Sequence, residues 1–230
     1  KDLPKRGRAV KSIPIAPKKG EAIIYRNFID GAGPRAIGVG YDERVNLAFD
    51  ANNMRLAMIW HGDFMDGGRH WNNRGLGFQP PSGKDVIHLP KGLAFTTLAA
   101  GDSPWPVPEY RTEEISFEGY VLDKFQRPTF NYNRDGVSIT DRFIPVAPLS
   151  EGQVGKIRRV LKFFGNDPPL NLYLRLGHGG FAQQNGTFSK DQLVISAKGG
   201  GVLTSSPDLR VPINFKGKKS ELEIVYSWAE

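Results

Sequence analysis

The sequence predicts an all-β protein, an antiparallel β-sandwich up to the size of a large supersandwich, with long loops. From residue 21 onward, apolar residues recur with a period of two rather than 3.6. The 27 Gly and 17 Pro are spread along the 230 residues and separate short segments rich in β-branched and aromatic residues. No amphipathic helix of ten or more residues is found between these segments. Together these observations favour many short strands joined by turns.

Segments with the length and composition of strands recur along the chain. Each is rich in Val, Ile, Leu, Phe or Tyr and is bounded by Gly, Pro, Asn or Asp. The pair Asp135-Gly136 is typical of a tight hairpin turn. Two long segments between strands, residues 62–85 and 99–114, are predicted to be functional or to form an interface. The predicted strands cover residues 22–29, 36–40, 45–50, 54–60, 94–98, 115–122, 129–132, 137–139, 153–164, 171–176, 192–197, 202–204, 209–213 and 222–228.

The positive charge is concentrated at the start of the sequence. The chain has a formal net charge of +7, and residues 1–20 hold seven cations and one anion, so the rest is nearly neutral. Prolines at positions 4, 14 and 17 disfavour helix in this segment. We therefore predict a basic, extended N-terminal arm over residues 1–20 and a single sandwich domain over residues 21–230. The arm is expected to lack regular secondary structure and to dock the chain onto something larger.

What the sequence lacks excludes several classes of protein. The chain has no Cys, so it contains no disulfide, no thiolate metal site and no covalent c-type haem. No apolar run approaches the roughly 18 residues that a membrane-spanning helix needs. No nucleic-acid-binding motif accompanies the basic arm. We expect neither a cofactor nor a nucleic-acid partner.

Most of the residues that could take part in catalysis or binding lie in one segment. It begins at the end of the predicted strand 54–60 and continues into a glycine-rich loop. Residues 60–75 contain two His, two Asp, two Arg and two Trp. Asp63, Asp66 and His70 are candidate acid–base residues, because paired carboxylates near a histidine suit general acid–base catalysis. A purely structural role stays open, since Arg–Asp pairs and packed Trp side chains also hold long loops closed. The candidate binding residues are Trp60, Arg69, Trp71, Arg74 and, in the second long loop, Trp105.

The same segment raises the question of a metal site. His61, Asp63, Asp66 and His70 are residue types that ligate metals. Their spacing, His-x-Asp-x-x-Asp-x-x-x-His, matches no established metal-binding pattern. We therefore predict that the chain binds no metal.

Three blocks of the sequence together resemble an uncharacterised bacterial module. They are IYRNFIDGAGPRAIGVGY at residues 24–41, VNLAFD at residues 45–50 running into RHW at residues 69–71, and RPTF at residues 127–130. The pattern is similar to a module of environmental bacteria that lies beside c-type cytochrome domains in exported proteins, and it spans most of residues 21–180. The resemblance implies a periplasmic or otherwise extracytoplasmic location, near a haem protein or an exported sugar-oxidising enzyme. It supplies no catalytic residues, and the missing C-x-x-C-H segment departs from the cytochrome part of such proteins.

Two functional hypotheses follow. The first is a non-catalytic accessory or assembly module that docks onto a c-type cytochrome-containing or membrane-associated complex, with tryptophans as anchors. The alternative is a carbohydrate-binding or carbohydrate-active β-sandwich. An enzyme needs a concave pocket in which its acid–base side chains converge. An assembly module needs a broad contact surface and a defined path for its arm.

Overall fold

The fold is almost entirely β-structure. The computed structural model describes residues 11–72, 77–107, 115–199, 201–202 and 207–229. Strands account for 56% of the chain and helix for 2%, so the predicted all-β class is confirmed. Within the described residues, every pair of hydrogen-bonded strands runs antiparallel. None of the helical structure in this part of the chain has the length and apolar character that a membrane crossing needs.

The elements follow one another as short strands with one helical turn among them. In chain order they are β1 (Pro14–Ile15), β2 (Ala22–Ile29), β3 (Gly33–Tyr41), β4 (Val45–Asp50), β5 (Arg55–His61), β6 (Met65–Asp66), α1 (Gly68–Trp71), β7 (Lys84–His88), β8 (Phe95–Thr97), β9 (Ile115–Leu122), β10 (Pro128–Arg134), β11 (Val137–Val146), β12 (Lys156–Gly165), β13 (Leu172–His178), β14 (Ala182–Gln184), β15 (Thr187–Lys190), β16 (Leu193–Lys198), β17 (Asp208–Pro212) and β18 (Lys219–Trp228).

The largest sheet has eight strands in the order β14-β15-β16-β18-β12-β11-β10-β9. Along β11 every second residue from Val137 to Pro145 is buried, and the residues between them are exposed or half-buried. This alternation arises because successive side chains of a strand point to opposite faces. A register shift opposite Asn131 and Tyr132 interrupts the pairing of β9, which forms one edge. One face of the sheet therefore contributes to the core and the other faces solvent.

Two smaller sheets cover the inner face of the large sheet. One has five strands in the order β2-β3-β4-β5-β7, and the other has three in the order β17-β13-β8. Phe49 of β4 stacks on Phe130 of β10 with ring centroids 4.3 Å apart. Phe95 of β8 contacts Phe163 of β12 at 5.9 Å between centroids. These contacts belong to one continuous core, so the large sheet and the two smaller ones are the two layers of a sandwich.

The five-stranded sheet is buried on both faces. All six residues of β4 and six of the seven residues of β5 are buried, whereas a sheet with one solvated face shows alternation. The second face carries a separate core that includes Tyr25, Ala48 and Trp60. Phe64 and Met65, which follow β5, pack into this second core. The segment after β5 is therefore a third layer of the fold.

Two glycines of β3 make room for this third layer. A Cβ at Gly38 would lie 3.2 Å from Cζ of Phe64, and a Cβ at Gly40 would lie 2.6 Å from its Cγ. Phe64 also stacks on Trp60 with ring centroids 5.9 Å apart. The phenyl ring therefore lies directly on the β3 backbone, where a larger residue would displace it.

A buried ion pair lies on the inner face of the large sheet. Arg159 of β12 donates from Nη2 and Nε to the two oxygens of Asp141 in β11, at 2.7 and 2.9 Å. Tyr132 donates to Asp141 at 2.9 Å, and the Tyr226 hydroxyl lies 3.4 Å from Arg159 Nη1. Burial and the Asp141 charge raise the pKa of Tyr132 well above its usual value. Burial alone would lower the pKa of Arg159, but the Asp141 charge outweighs it and raises that pKa.

The predicted arm differs from the structure in its second half. Residues 1–10 lie outside the described residues. Pro14–Ile15 forms β1, which pairs with β6, and Ile15 is buried in the second core. The expectation that residues 1–20 lack regular secondary structure is therefore wrong for β1. This segment contributes a strand and a core side chain to the third layer.

Some predicted strand boundaries also shift. The strand predicted over residues 137–139 continues to Val146, and the one predicted over residues 153–164 begins at Lys156. Residues 203 and 204 of the predicted strand 202–204 lie outside the described residues. The short strands β6, β7, β14 and β15 are absent from the prediction, because their lengths of two to five residues give too little periodic pattern.

The buried ion pair predicts a large loss of stability when one partner is removed. We expect Asp141→Ala to lower the free energy of unfolding by about 3–5 kcal/mol, because Arg159 is left as an uncompensated buried charge. Urea denaturation followed by tryptophan fluorescence measures this loss. The double variant Asp141→Leu/Arg159→Met should recover most of it, since an apolar pair of similar volume needs no charge partner.

The matched control for this prediction is Asp63→Ala. Asp63 pairs with Arg44 at 3.3 Å, and both side chains are more than 70% exposed. Such a pair contributes less than about 1 kcal/mol. Equal losses for Asp141→Ala and Asp63→Ala would contradict a special role for the buried pair.

Candidate docking surface on the third layer

One carboxylate fastens the third layer to the segment that precedes β1. Asp66 Oδ1 accepts hydrogen bonds from the backbone N–H groups of Ile13 and Gly68, at 2.8 and 2.7 Å. Its Oδ2 accepts one from the Ser12 hydroxyl at 2.5 Å. The hydrogen bonds from Ser12 and Ile13 lower the pKa of Asp66 below its usual value. Asp66 is therefore an ionised clamp that joins two distant parts of the chain.

Helix α1 lies against the N-terminal segment. Asn72, which follows the helix, donates from Nδ2 to the carbonyl oxygen of Lys11 at 2.9 Å. A Cβ at Gly68 would lie 2.1 Å from the same carbonyl oxygen, so only glycine allows this approach. Lys11 is thereby fixed beside the helix, at the end of the most basic stretch of the sequence.

Five rings form a continuous surface around α1, which we call the aromatic surface. Its members are Tyr25 and Phe28 of β2, His70 and Trp71 of α1, and Phe78. Neighbouring ring centroids are 5.7–6.2 Å apart. Trp71 is 58% exposed, and Phe28 and Phe78 are each 45% exposed. Single exposed aromatic residues are ordinary, but a contiguous exposed patch indicates an interaction site.

The Trp71 ring is held in place before any partner binds. A Cβ at Gly67 would lie 2.6 Å from Cε3 of Trp71, so one face of the indole rests on the Gly67 backbone. Tyr25 contacts the indole edge-on at 6.1 Å between centroids. A side chain that is already fixed in this way loses little conformational freedom when a ligand or partner binds.

His70 is bound through both ring nitrogens. Its Nε2 donates to the carbonyl oxygen of Gly77 at 2.7 Å, since a carbonyl can only accept. Its Nδ1 shares a hydrogen bond with the Tyr25 hydroxyl. Burial, together with the Asp66 charge, raises the pKa of Tyr25 to about 12, so the phenol keeps its proton. His70 therefore links β2, α1 and Gly77.

The three predicted acid–base residues do not converge in one pocket. Asp63 and Asp66 line a groove of about 570 Å³, and His70 is not part of its wall. Asp63 is 78% exposed and pairs with Arg44. Asp66 and His70 use their polar atoms to hold the third layer together. The three residues share a layer of the fold rather than a reaction site.

Two of the predicted binding tryptophans are buried. Trp60 has no exposed surface, and its indole N–H donates to two backbone carbonyls at 3.0 and 3.2 Å. Trp105 is 9% exposed and donates to the Leu93 carbonyl at 3.0 Å. The guanidinium groups of Arg175 and Arg210 lie over its ring. Neither side chain is accessible to a partner, so both are core residues instead of the anchors that the sequence suggested.

The other three predicted binding residues, Arg69, Trp71 and Arg74, differ in where the structure places them. Trp71 is 58% exposed and contacts the rest of the aromatic surface through Tyr25. Arg69 is on the same helix, and its Nε donates to the Gln79 side chain at 3.3 Å. Arg74 lies outside the described residues. Of the described residues, Trp71 and Arg69 therefore stay as candidates, and the role of Arg74 stays a prediction.

Sequence reasoning misses two members of the aromatic surface. Phe28 reads as one more apolar residue of a strand, but it lies at a register shift between Asn27 and Ile29 and is unpaired in the ladder. Phe78 lies outside the named strands, and it belongs to the aromatic surface because its ring contacts Phe28. The hairpin irregularity that exposes Phe28 has no signal in the local sequence.

No metal centre is formed by the residues that the structure describes. No three His, Asp or Glu side chains among them lie close enough together to hold an ion. His61 instead pairs with Asp85, Nε2 to Oδ2, at 2.7 Å. The absence of a bound metal stays a prediction.

The sequence matches no protein-family model and no curated protein. Among solved structures, the chain is similar to the crystal structure of YidC from Thermotoga maritima, with 11% sequence identity and a TM-score of 0.41. The similarity covers 91% of this chain and 51% of that chain. This chain thus spans about half the length of the structure that it matches.

The Asp66 clamp predicts a stability that depends on pH. We expect Asp66→Ala to lower the free energy of unfolding by about 1–3 kcal/mol, because three donors lose their acceptor. The folded-state pKa of Asp66 is lowered, so the carboxylate contributes stability above its unfolded pKa of about 3.9. That contribution is lost as the pH falls through the folded-state pKa. Urea denaturation at a series of pH values should show the wild-type advantage constant near neutrality and shrinking below about pH 4.

Asp63→Ala again serves as the control, because Asp63 holds no backbone donor of another segment. Its difference from wild type should be small at every pH. A wild-type advantage over Asp66→Ala that stays constant down to the lowest pH would show that Asp66 does not act as an ionised clamp.

Proposed function

We propose that this chain is a non-catalytic accessory module that docks onto a protein partner through the aromatic surface and the basic N-terminal segment. The observation that carries the proposal is that these two features are adjacent. Lys11 lies against the helix that presents Trp71. The ten residues before Lys11 contain four cations and one anion. Lys11, the first described residue of this basic segment, therefore lies beside the helix that carries Trp71.

The partner that fits these features has an apolar patch bordered by acidic groups. Trp71 is exposed and fixed in advance, and Trp is one of the residue types that dominate interface energetics. Cations beside such a patch increase the rate of encounter with an acidic surface and disfavour basic ones. Arg69, on the same helix as Trp71, adds to the cationic border.

The family resemblance supports a location outside the cytoplasm and a haem-containing or membrane-associated complex as the partner. The blocks that carry the resemblance are residues 24–41, 45–50, 69–71 and 127–130. Residues 24–41 include Tyr25 and Phe28, and residues 69–71 include His70 and Trp71. The pattern that resembles the exported module thus contains four of the five rings of the aromatic surface.

A second candidate function is carbohydrate binding, which the open face of Trp71 favours. With one face resting on Gly67 and 58% of the residue exposed, the indole offers a flat apolar platform. Sugar rings pack their apolar C–H faces against such platforms. A carbohydrate-active enzyme has less support, because Asp63, Asp66 and His70 form no common pocket.

The docking proposal predicts a specific role for Trp71. A photo-crosslinking residue in place of Phe78, another exposed ring of the aromatic surface, identifies the partner in the native host, and purified components then give the dissociation constant. We expect Trp71→Ala to weaken binding at least about tenfold, the effect of a typical aromatic hot spot, without changing the thermal midpoint. Removing residues 1–10 should slow association and reduce its dependence on salt.

The matched control is Phe164→Ala, which removes a 44% exposed ring from the outer face of the large sheet. It should leave partner binding unchanged. Equal effects of Trp71→Ala and Phe164→Ala would contradict the docking surface. If the wild-type chain binds oligosaccharides on a glycan array and Trp71→Ala does not, while no protein is crosslinked, the carbohydrate function replaces the docking function.

A further inference from the structure

A second group of chemistry-bearing residues lies outside the third layer, where β13 pairs with β17. Asp208 of β17 is 3% exposed. Its Oδ1 accepts from Arg175 Nε at 2.8 Å and lies 2.7 Å from His178 Nδ1. Its Oδ2 accepts from Arg210 Nη2 at 3.1 Å. One buried carboxylate therefore holds two guanidinium groups and an imidazole.

This carboxylate fixes the orientation of the histidine ring. Burial opposes ionisation of Asp208, but hydrogen bonds from His178 and Arg210 and the charge of Arg175 lower its pKa. His178 Nδ1 lies 2.7 Å from Asp208 Oδ1 and 3.1 Å from Arg175 Nη2. Nε2 has no hydrogen-bond partner among the described residues, so it is the ring nitrogen left for a ligand. The His178 side chain is 61% exposed, so Nε2 is open to a ligand.

His178 lines a cavity of about 370 Å³ that is bounded by β7, the end of β13 and the β15–β16 hairpin. Ile87, Leu89 and Phe181 supply an apolar part of its wall, and Lys190 supplies a cation. Cavities of this size hold small organic molecules when apolar walls are combined with a few oriented polar groups.

The Lys190 ammonium is held beside the histidine. Its Nζ donates to the backbone carbonyl of His178 at 2.7 Å, and a Cβ at Gly179 would lie 2.1 Å from it. An ammonium has three donors, so two are left for a ligand or water. Lys190 is half-buried, and this partial burial strengthens its interaction with an anion.

We propose that this cavity binds a small organic anion. The carboxylate of the anion is held by the Nε2–H group of His178 and by Lys190, and its apolar part packs against Phe181 and Ile87. The charged and titratable groups near the ring are Asp208, Arg175 and Lys190, with Asp191 and His88 in the cavity wall. Because Arg210 also pairs with Asp208, cations outnumber carboxylates here, and the ligand supplies the missing negative charge.

Benzoate is the probe for this site, and benzyl alcohol is its neutral counterpart of similar shape. At about pH 5.5 we expect benzoate, but not benzyl alcohol, to shift the NMR signals of the His178 ring and to give saturable heat in calorimetry. His178→Ala and Lys190→Met should each weaken benzoate binding about tenfold or more, the effect of losing a charge-assisted hydrogen bond. Asp191→Asn should strengthen it.

The controls separate this site from surface charge and from the docking surface. Lys162→Met removes a 66% exposed cation of the large sheet and should leave benzoate binding unchanged, as should Trp71→Ala. No benzoate binding, equal binding of benzyl alcohol, or binding that survives both His178→Ala and Lys190→Met would overturn the proposal. Inorganic phosphate that binds as tightly as benzoate would contradict the role of the apolar wall. Circular dichroism of each variant shows that the fold is retained.

Discussion

The rest of the structure depends on a five-stranded sheet that is apolar on both faces. A two-layer sandwich needs each sheet to bury one face, and the large sheet meets that condition with its alternating strands. β4 and β5 do not meet this condition, because nearly every residue in them is buried and side chains on both faces of the sheet need cover. Exposure of the second face would leave Tyr25, Ala48 and Trp60 in water. A third layer is therefore needed to cover the second face, and the long segment after β5 forms that layer.

The composition of the third layer explains why Asp66 and His70, which the sequence offers as catalytic candidates, hold the structure together instead. It contains only the two-residue strands β1 and β6 and a single helical turn, so regular backbone pairing satisfies few of its polar groups. Buried or half-buried N–H groups need partners, and side chains provide them. Asp66 accepts from three donors, and His70 joins Tyr25 to Gly77. What this layer can offer a partner is its outer surface, where the rings that these bonds position are exposed.

The fold class can be read from the sequence because strand periodicity is local. The alternation in β11 and β12 and the apolar run at residues 56–60 of β5 can both be seen in the sequence. The site is less predictable, because its parts meet across long distances in the chain. The sequence predicts Trp105 as a binding anchor. In the structure, Arg175 of β13 and Arg210 of β17 lie over its ring, and neither contact can be predicted from the residues around Trp105. His178 and Asp208 are 30 positions apart, and no local pattern in the sequence predicts that they pair.

The eight-stranded sheet is open, and this has a consequence for colloidal behaviour. The edge of an open sheet exposes unpaired backbone groups that can recruit a strand from another chain and seed aggregation. At one edge lies β14, which is three residues long and exposed throughout. At the other lies β9, whose ladder is interrupted opposite Asn131 and Tyr132, and whose Gly119 has a φ of +112°. Short length at one edge and an irregular backbone at the other both discourage strand addition, so neither edge of this sheet is a ready template for a strand from another chain.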